Sequence, residues 1–501
     1  MASNARPRFE PTPCVPEFGP SPLKSGDRTW LPIITCPPGF PLEVFQNSIS
    51  QMVHHPEYNS TLILRSETVS EVTTDFHARI PVLDGYVAVH STRRRLLPRR
   101  PTRDGELEQH CTLYTEFPLD DTHPPSVVVL TPILEEGSTE LPYYHPRVAH
   151  IAFRYISSEE STLRIEVLPL PDTPTDVNSR LYRTCLALLD TVHRYGWGAM
   201  VNYQKRVIHD NLVPRELYQD LYLKMRERHK HLVETWKEVT DPLKHVFEDI
   251  GIATYLMLLW KDSCSQVPAP STTEHDDCPW LSWPRPSGGF LDLGCGNGLL
   301  THILVSEGYE GHGIDVRART SWSHYPESTQ SHLHVHAIDP LRKDTTQPFF
   351  LPGAFLIGNH ADELTPWVPL LSTLYAASGY ISIPCCAFTF DARFQRSQAL
   401  PYDIPPLPPN SIEQLNLGGN GNNTSSYSQY RIWLASLSLH CGWEIESDTL
   451  RIPSTRNWAL VGRQRSQSGN EALGNVQTIL NVVRDRGLFK TREPEGKGGD
   501  H

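Results

Sequence analysis

The stretch Thr162-Leu163-Arg164-Ile165-Glu166-Val167 alternates polar and apolar residues, as a strand with one buried face must. Residues 126–130 and 148–155 are short β-rich runs of the same kind. They predict an α+β unit from about Trp30 to about Leu170. Apolar residues then return at helical spacing over 178–195, behind Asp176 and Asn178 as caps, and over 214–238. A third helical stretch, 244–261, is apolar on most of its surface and should pack against a sheet. Beyond it, short apolar runs at 289–293, 310–315, 332–339, 353–359 and 380–385 alternate with helical segments. Two closing strands, 443–452 and 457–463, flank the turn Pro453-Ser454-Thr455. This rhythm predicts a doubly wound, seven-stranded α/β sheet whose last strand runs antiparallel.

Composition adds the boundaries. Residues 1–28 are rich in proline and polar groups and read as disordered. An N-terminal α+β domain then spans 29–240 and the doubly wound domain 241–465. A Ser/Pro/Asp-rich linker covers 263–287, and 395–428 is either a disordered insertion or a substrate lid. Residues 466–501 read as a linker, a short helix over 476–486 and a polar tail. The formal charge of −12 and a pI near 6.0 exclude a generic polyanion binder. Nucleic-acid contact would need local patches, and two offer themselves. One is Arg93, Arg94 and Arg95 with Arg99, Arg100 and Arg103; the other is Lys224, Arg226, Arg228 and Lys230. A solvated charge run is the plain alternative for both. The ten cysteines show no C-x-x-C spacing, which predicts reduced thiols and a cytoplasmic protein. No secretory core opens the chain and no uncharged run could span a bilayer; the apolar stretch 250–260 reads as a buried helix.

The densest chemistry lies in Phe290-Leu291-Asp292-Leu293-Gly294-Cys295-Gly296-Asn297-Gly298-Leu299-Leu300. A buried strand ends at an acid, crosses three alternating glycines and enters a helix. Nicotinamide sites space their glycines G-x-G-x-x-G to seat a pyrophosphate on the helix N-terminus. Here G-x-G-x-G follows Asp292, which suits a ligand carrying an ammonium: S-adenosylmethionine. Asp315, closing Gly311-His312-Gly313-Ile314-Asp315, stands where an acid would hold ribose hydroxyls. The domain is therefore expected to be a Rossmann-like class I S-adenosylmethionine-dependent methyltransferase. Asp339, at the end of the third strand, is an acceptor for the adenine amino group or simply a turn residue.

Several further blocks carry a resemblance. They are Val246-Phe247-Glu248-Asp249-Ile250, Gly313 to Arg319, Asn359-His360-Ala361-Asp362-Glu363-Leu364-Thr365-Pro366-Trp367, Ile383-Pro384-Cys385-Cys386, Arg451 to Asn457, and Lys490-Thr491-Arg492-Glu493-Pro494. In these the chain resembles the eukaryotic, fungal-type tRNA (uracil-2′-O-)-methyltransferases, which methylate the ribose of uridine 44 in serine tRNA. The resemblance covers about 240–495 and thins upstream to pieces such as Tyr144-His145-Pro146-Arg147. It implies S-adenosylmethionine as cofactor and tRNA as partner, with no membrane and no obligatory protein partner in evidence.

Methyl transfer to a ribose hydroxyl needs an in-line approach and a proton acceptor. Asn359, His360, Asp362 and Glu363 follow the fourth strand, where the transferred methyl should lie. Asp362 and His360 are the candidate acceptors; Asp362 as a helix cap is the alternative. Arg317 and Arg319 are placed to guide RNA, Pro384 and Cys385 to line the substrate pocket, and Phe388, Phe390 or Phe394 to stack the uracil. The Cys385–Cys386 pair and the alternating His332, His334 and His336 resemble metal ligands. Neighbouring strand residues face opposite ways and the histidines lack an acidic partner, so no metal is expected. A protein or small-molecule acceptor, or a non-catalytic tRNA-binding partner, are the competing readings.

Overall fold

The computed structural model describes residues 6–15, 20–118, 124–134, 140–203, 209–264, 277–341, 348–390, 392–395, 406–418 and 425–489. The chain divides into two units, Met1–Gln204 and Lys205–His501. In the first, strands β1 (Thr12–Pro13), β2 (Leu31–Cys36), β3 (Ile63–Val72), β4 (Tyr86–Pro98), β5 (Leu107–Glu116), β6 (Val127–Ile133), β7 (Val148–Ile156) and β8 (Thr162–Pro169) form one sheet in the order β1-β2-β8-β7-β6-β5-β4-β3. Every pairing is antiparallel. Helices α1 (Phe45–His54) and α2 (Arg180–Met200) cover one face. Helix α2 buries Leu181, Cys185, Leu189 and Val192, a stripe at helical spacing, against Ile34, Phe153 and Ile165. Its cap is Ser179, whose hydroxyl accepts from Tyr182 N, rather than Asp176 or Asn178.

The arginine-rich run belongs to β4, and the sheet neutralises most of it. Arg93 and Arg95 both bond Glu108 on the paired strand, at 2.7 and 2.8 Å. Arg94 is buried, giving Nε and Nη2 to Gln109 Oε1 and Nη1 to the Val53 carbonyl. Arg93, Arg94 and Arg95 of the predicted phosphate patch are thus engaged across the sheet, while Arg99, Arg100 and Arg103 lie beyond the strand. The described part of 1–28 is ordered rather than disordered. Thr12 and Pro13 pair with Thr35 and Ile34, Leu23 is buried, and Arg164 bonds the carbonyls of Pro20 and Ser21. Proline-rich backbone is extended and rich in free carbonyls, so a buried guanidinium and a sheet edge can hold it.

The second unit starts earlier than residue 241. Helix α3 (Arg215–His229) buries Tyr218, Leu221 and Met225 in the same core as Val246, Ile250 and Leu256 of α4 (Pro242–Ser263). Strands β9 (Phe290–Leu293), β10 (Gly311–Asp315), β11 (Leu333–Val335), β12 (Phe355–Asn359), β13 (Gly379–Ile383), β14 (Glu446–Thr449) and β15 (Trp458–Gly462) form a seven-stranded sheet in the order β11-β10-β9-β12-β13-β15-β14. The first five run parallel, and β15 runs antiparallel to both neighbours. Helix α5 (Leu299–Ser306) follows β9, α6 (Trp367–Leu374) follows β12 and α7 (Ser426–His440) precedes β14. The sheet's two faces carry two separate cores. The chain order reverses between β9 and β12, which opens a crevice at the strands' carboxyl ends.

Three boundary expectations change here. The tail holds helix α8 (Gly469–Asp485), longer than expected, whose Ala472, Val476, Ile479, Leu480 and Val483 are all buried. Within the supposed linker, Trp280 is fully buried and its Nε1 donates to Glu307. Within the supposed insertion, Leu415 and Leu417 belong to the core. Polar composition hid these few anchoring apolar residues. The block 490–494 lies outside the described residues. Among the described residues, no helix is long and apolar enough to cross a membrane.

Candidate active site

A cavity of about 1090 Å³ opens at the carboxyl ends of the parallel strands. Its cofactor end is the turn between β9 and α5. Gly294, Gly296 and Gly298 all sit at positive φ, 72°, 53° and 75°. A Cβ on Gly298 would fall 2.9 Å from Leu333 and 3.2 Å from Trp322 Nε1. Trp322 Nε1 donates to Gly296 O, and Asp315 accepts from Gly296 N at 2.9 Å and from Arg317 N at 3.2 Å. The acid after β10 therefore holds the turn in shape as well as facing the cavity.

Asp292 is buried. Its Oδ2 accepts from Thr301 at 3.2 Å, while Oδ1 has no partner. Burial, eased by Thr301 and reinforced by Asp315, pushes its carboxyl up to about 7. Asp249 of α4 stands in the same wall. Desolvation, then the charges of Glu248 and Asp292, push it well above the usual range. The Asn359 amide bonds Asp249, and Asn359 Oδ1 is another buried oxygen without a partner. Buried acceptors left open in this way call for a cation. The residues fit a ligand with an ammonium and a ribose, as S-adenosylmethionine has. Asp339 is not part of the wall; its Oδ1 accepts from Leu341 N, and His336, Ala337 and Ile338 line the cavity instead.

The acceptor end is assembled from distant segments. His360 follows β12 at φ 53° and Asp362 at φ 43°, a backbone region that costs a non-glycine residue about 1–3 kcal/mol. Two such residues separated only by Ala361, both lining the cavity, mark a place where geometry is imposed. His360 Nε2 lies 3.1 Å from Glu248 Oε1 on α4, and His360 Nδ1 is buried without a partner. Burial alone would raise the Glu248 carboxyl, but the bond and charge of His360, with Lys244 behind, bring it below its ordinary value. Glu363 lines the cavity too. Asp362 caps no helix: the turn Asp362–Leu364 and helix α6 have no side-chain cap, and Asp362 Oδ1 accepts from Cys385 Sγ at 3.3 Å.

Strand β13 ends at Ile383, so Cys385 and Cys386 lie on a turn and do not alternate across a sheet. Ligand atoms of Asp362, Cys385 and Cys386 all fall within 4.8 Å of one another. Burial and Asp362 push the Cys385 thiol well up, which disfavours the thiolate a metal would need. Pro384 gives its carbonyl to Tyr427 OH at 2.7 Å and does not line the cavity. Phe388 packs beneath Arg393 away from the cavity, whereas Phe390 lines it, edge-on to Trp367 at 4.6 Å. Arg317 and Arg319 both line it, and Arg319 Nε is a buried donor without a partner. The histidines of β11 are not simply solvent-facing. His334 Nε2 lies 3.0 Å from His312 Nδ1, His332 bonds Gly311 O and His336 lines the cavity.

Several lining residues went unread. Glu248 and Asp249 interrupt a helix that is otherwise apolar, and acids at buried positions were the available signal. Arg456, after the β14–β15 turn, lies over the Tyr427 ring at 3.9 Å. Phe489, past α8, meets Trp367 at 5.3 Å; the Arg451–Asn457 block contained Arg456 without giving it a role, and nothing in the sequence marked Phe489.

Sheet order, glycine turn and open acids define an S-adenosylmethionine-dependent methyltransferase. Comparison with family models agrees: "TRM44-like, N-terminal bet v1-like domain" matches residues 10–206, and "Predicted AdoMet-dependent methyltransferase" matches 212–275 and 283–340. Curated proteins named tRNA (uracil-O(2)-)-methyltransferase are similar over most of their length. That of Schizosaccharomyces pombe is 36% identical over 87% of this chain and 85% of its own. That of Neurospora crassa is 31% identical over 96% and 95%, and that of Saccharomyces cerevisiae 30% over 83% and 84%. The chain belongs to the tRNA (uracil-O(2)-)-methyltransferase family. No solved structure matches it.

Proposed function

We propose that this protein transfers a methyl group from S-adenosylmethionine to the ribose 2′-hydroxyl of a uridine in tRNA, with uridine 44 of serine tRNA as the acceptor. Family membership supports the reaction and the tRNA substrate. The observation that carries the chemistry is His360, a cavity-wall residue with one ring nitrogen bonded to Glu248 and the other buried without a partner. A carboxylate only accepts, so Glu248 fixes the proton on Nε2 and leaves Nδ1 as a lone pair. That nitrogen takes the 2′-hydroxyl proton as the oxygen attacks. Asp292, Asp249 and Asn359 hold the cofactor's ammonium, and Asp315 its ribose. Bound there, S-adenosylmethionine supplies a methyl on a sulfonium, so the protein's task is positioning and deprotonation. Arg317, Arg319 and Arg456 supply cations for the acceptor's phosphates. Arg456 lies over the Tyr427 ring, which holds its charge at the cavity wall. With ten free thiols, we place the reaction in the cytoplasm.

The test is transfer from labelled S-adenosylmethionine to unmodified serine tRNA transcript, followed by nucleoside mass analysis. Label should appear as 2′-O-methyluridine and vanish with Asp292→Ala. Cofactor binding without label in any tRNA would sink the RNA assignment and favour a protein acceptor.

A further inference from the structure

A second cavity, of about 680 Å³, lies behind the glycine turn. Its walls come from the end of α3 and the segment after it, from α5, and from the turn Thr320–His324. Two features join it to the first cavity. Trp236 on its wall stacks on His245, a wall residue of the first, with centroids 5.8 Å apart and planes 7° apart. The Thr320–His324 turn begins directly after Arg319, and its Trp322 grips Gly296 O.

The lining is mostly ring and carbon surface with cations at its edge. His302 and Tyr325 lie parallel, 4.5 Å apart and 15° from coplanar. Burial holds His302 down to about 4, so at neutral pH it is an uncharged ring. Glu307 is the one acid among the lining residues, and it is fully engaged. Arg228 reaches it at 2.8 and 3.1 Å, His229 at 2.7 Å and Trp280 at 2.9 Å. Lys237, His231 and His324 are exposed at the mouth. Flat apolar faces inside, with a lysine and two histidine N–H donors at the mouth, in a chain of net charge −12, match one chemistry: an unpaired base with its phosphate.

We propose that this cavity takes a nucleotide of the RNA strand beside the acceptor uridine, its base among the Trp236, His302 and Tyr325 rings and its phosphate at Lys237 and His231. The assignment rests on the RNA-methylating reading above. It gives the enzyme a second grip on the strand, so that the acceptor ribose is fixed by its neighbour as well as by its own pocket.

The test uses full-length protein carrying His231→Glu and Lys237→Glu, both at exposed positions. KM for tRNA should rise about tenfold or more and the slope of log KM against log salt should flatten by about 1–2. The kcat at saturating tRNA should stay within about twofold, and cofactor affinity should not change. Transcripts bearing 4-thiouridine should crosslink to wild-type peptides around residues 231–237 or 321–326, and not to the variant. If the double variant melts below wild type, exposed His324→Glu takes its place. Methylation of tRNA by wild type with an unchanged KM in the variant, or crosslinks confined to other peptides, overturns this cavity and leaves the activity standing. Failure of wild type to methylate any tRNA overturns both.

Discussion

The two ends of the active-site cavity are built by different means. At the cofactor end, backbone does most of the work: three left-handed glycines with Asp292 and Asp315 lie in one stretch, and only Asp249 and Asn359 reach it from elsewhere. At the acceptor end, side chains from α4, the loop after β12, the turn after β13, the Arg456 turn and the segment past α8 meet from across the unit. A contiguous turn can be specified locally, because glycine conformation and strand-to-helix geometry are short-range. A pair such as Glu248 and His360, 112 residues apart, exists only once the sheet and α4 have packed. The difference teaches which substitutions should act on binding and which on chemistry.

The largest effect should come from the acceptor end. His360→Ala should lower kcat by about 10³-fold with cofactor affinity within about twofold, measured by single-turnover methylation and calorimetry. Glu248→Gln should cost about tenfold, since an amide can donate as well as accept and no longer fixes the proton on His360 Nε2. Equal losses in cofactor affinity would erase the division between the two ends.

Asp292→Asn should act the other way, weakening cofactor by about 10–100-fold through loss of a charged hydrogen bond. A sharper sign comes from protons. With its carboxyl raised to about 7, Asp292 is about half protonated in the free protein at pH 7. An ammonium beside it favours the ionised form, so binding should release about half a proton at pH 7, more at pH 6 and almost none at pH 8.5. Calorimetry in buffers of different ionisation enthalpy reads this directly, and Asp292→Asn should reduce it, leaving what Asp249 contributes. Because the folded value is raised, the stability this one carboxyl contributes to the free protein falls as pH climbs from about 4 to 7, and the asparagine variant should lack that part of the pH dependence.

The smallest effect belongs to Arg456. Arg456→Ala should raise KM for tRNA about threefold to tenfold, with kcat and cofactor affinity held. A fall in cofactor affinity instead would place this arginine at the wrong end of the cavity.

Legibility followed the same division. The glycine turn, Asp315 and the β/α rhythm through β13 could be read because each is a short-range pattern. Strands β3, β4 and β5 could not: β4 carries Arg93, Arg94 and Arg95, which look like a surface run until Glu108 and Gln109 are seen opposite. The β11 strand was read too long because His332 to Asp339 alternates well, yet its pairing with β10 ends at Val335. Phe388, Phe390 and Phe394 offer themselves alike for the pocket because nothing local separates them; of the three, Phe390, packed on Trp367, is the one in the cavity wall.

Phe489 carries one more implication. A ribosome releases the glycine turn and the first five strands long before it reaches the segment past α8. The nascent chain therefore has its cofactor turn in hand while one wall of the cavity has yet to be synthesised. The order of synthesis thus sets the cofactor turn in place before the part of the wall that Phe489 supplies.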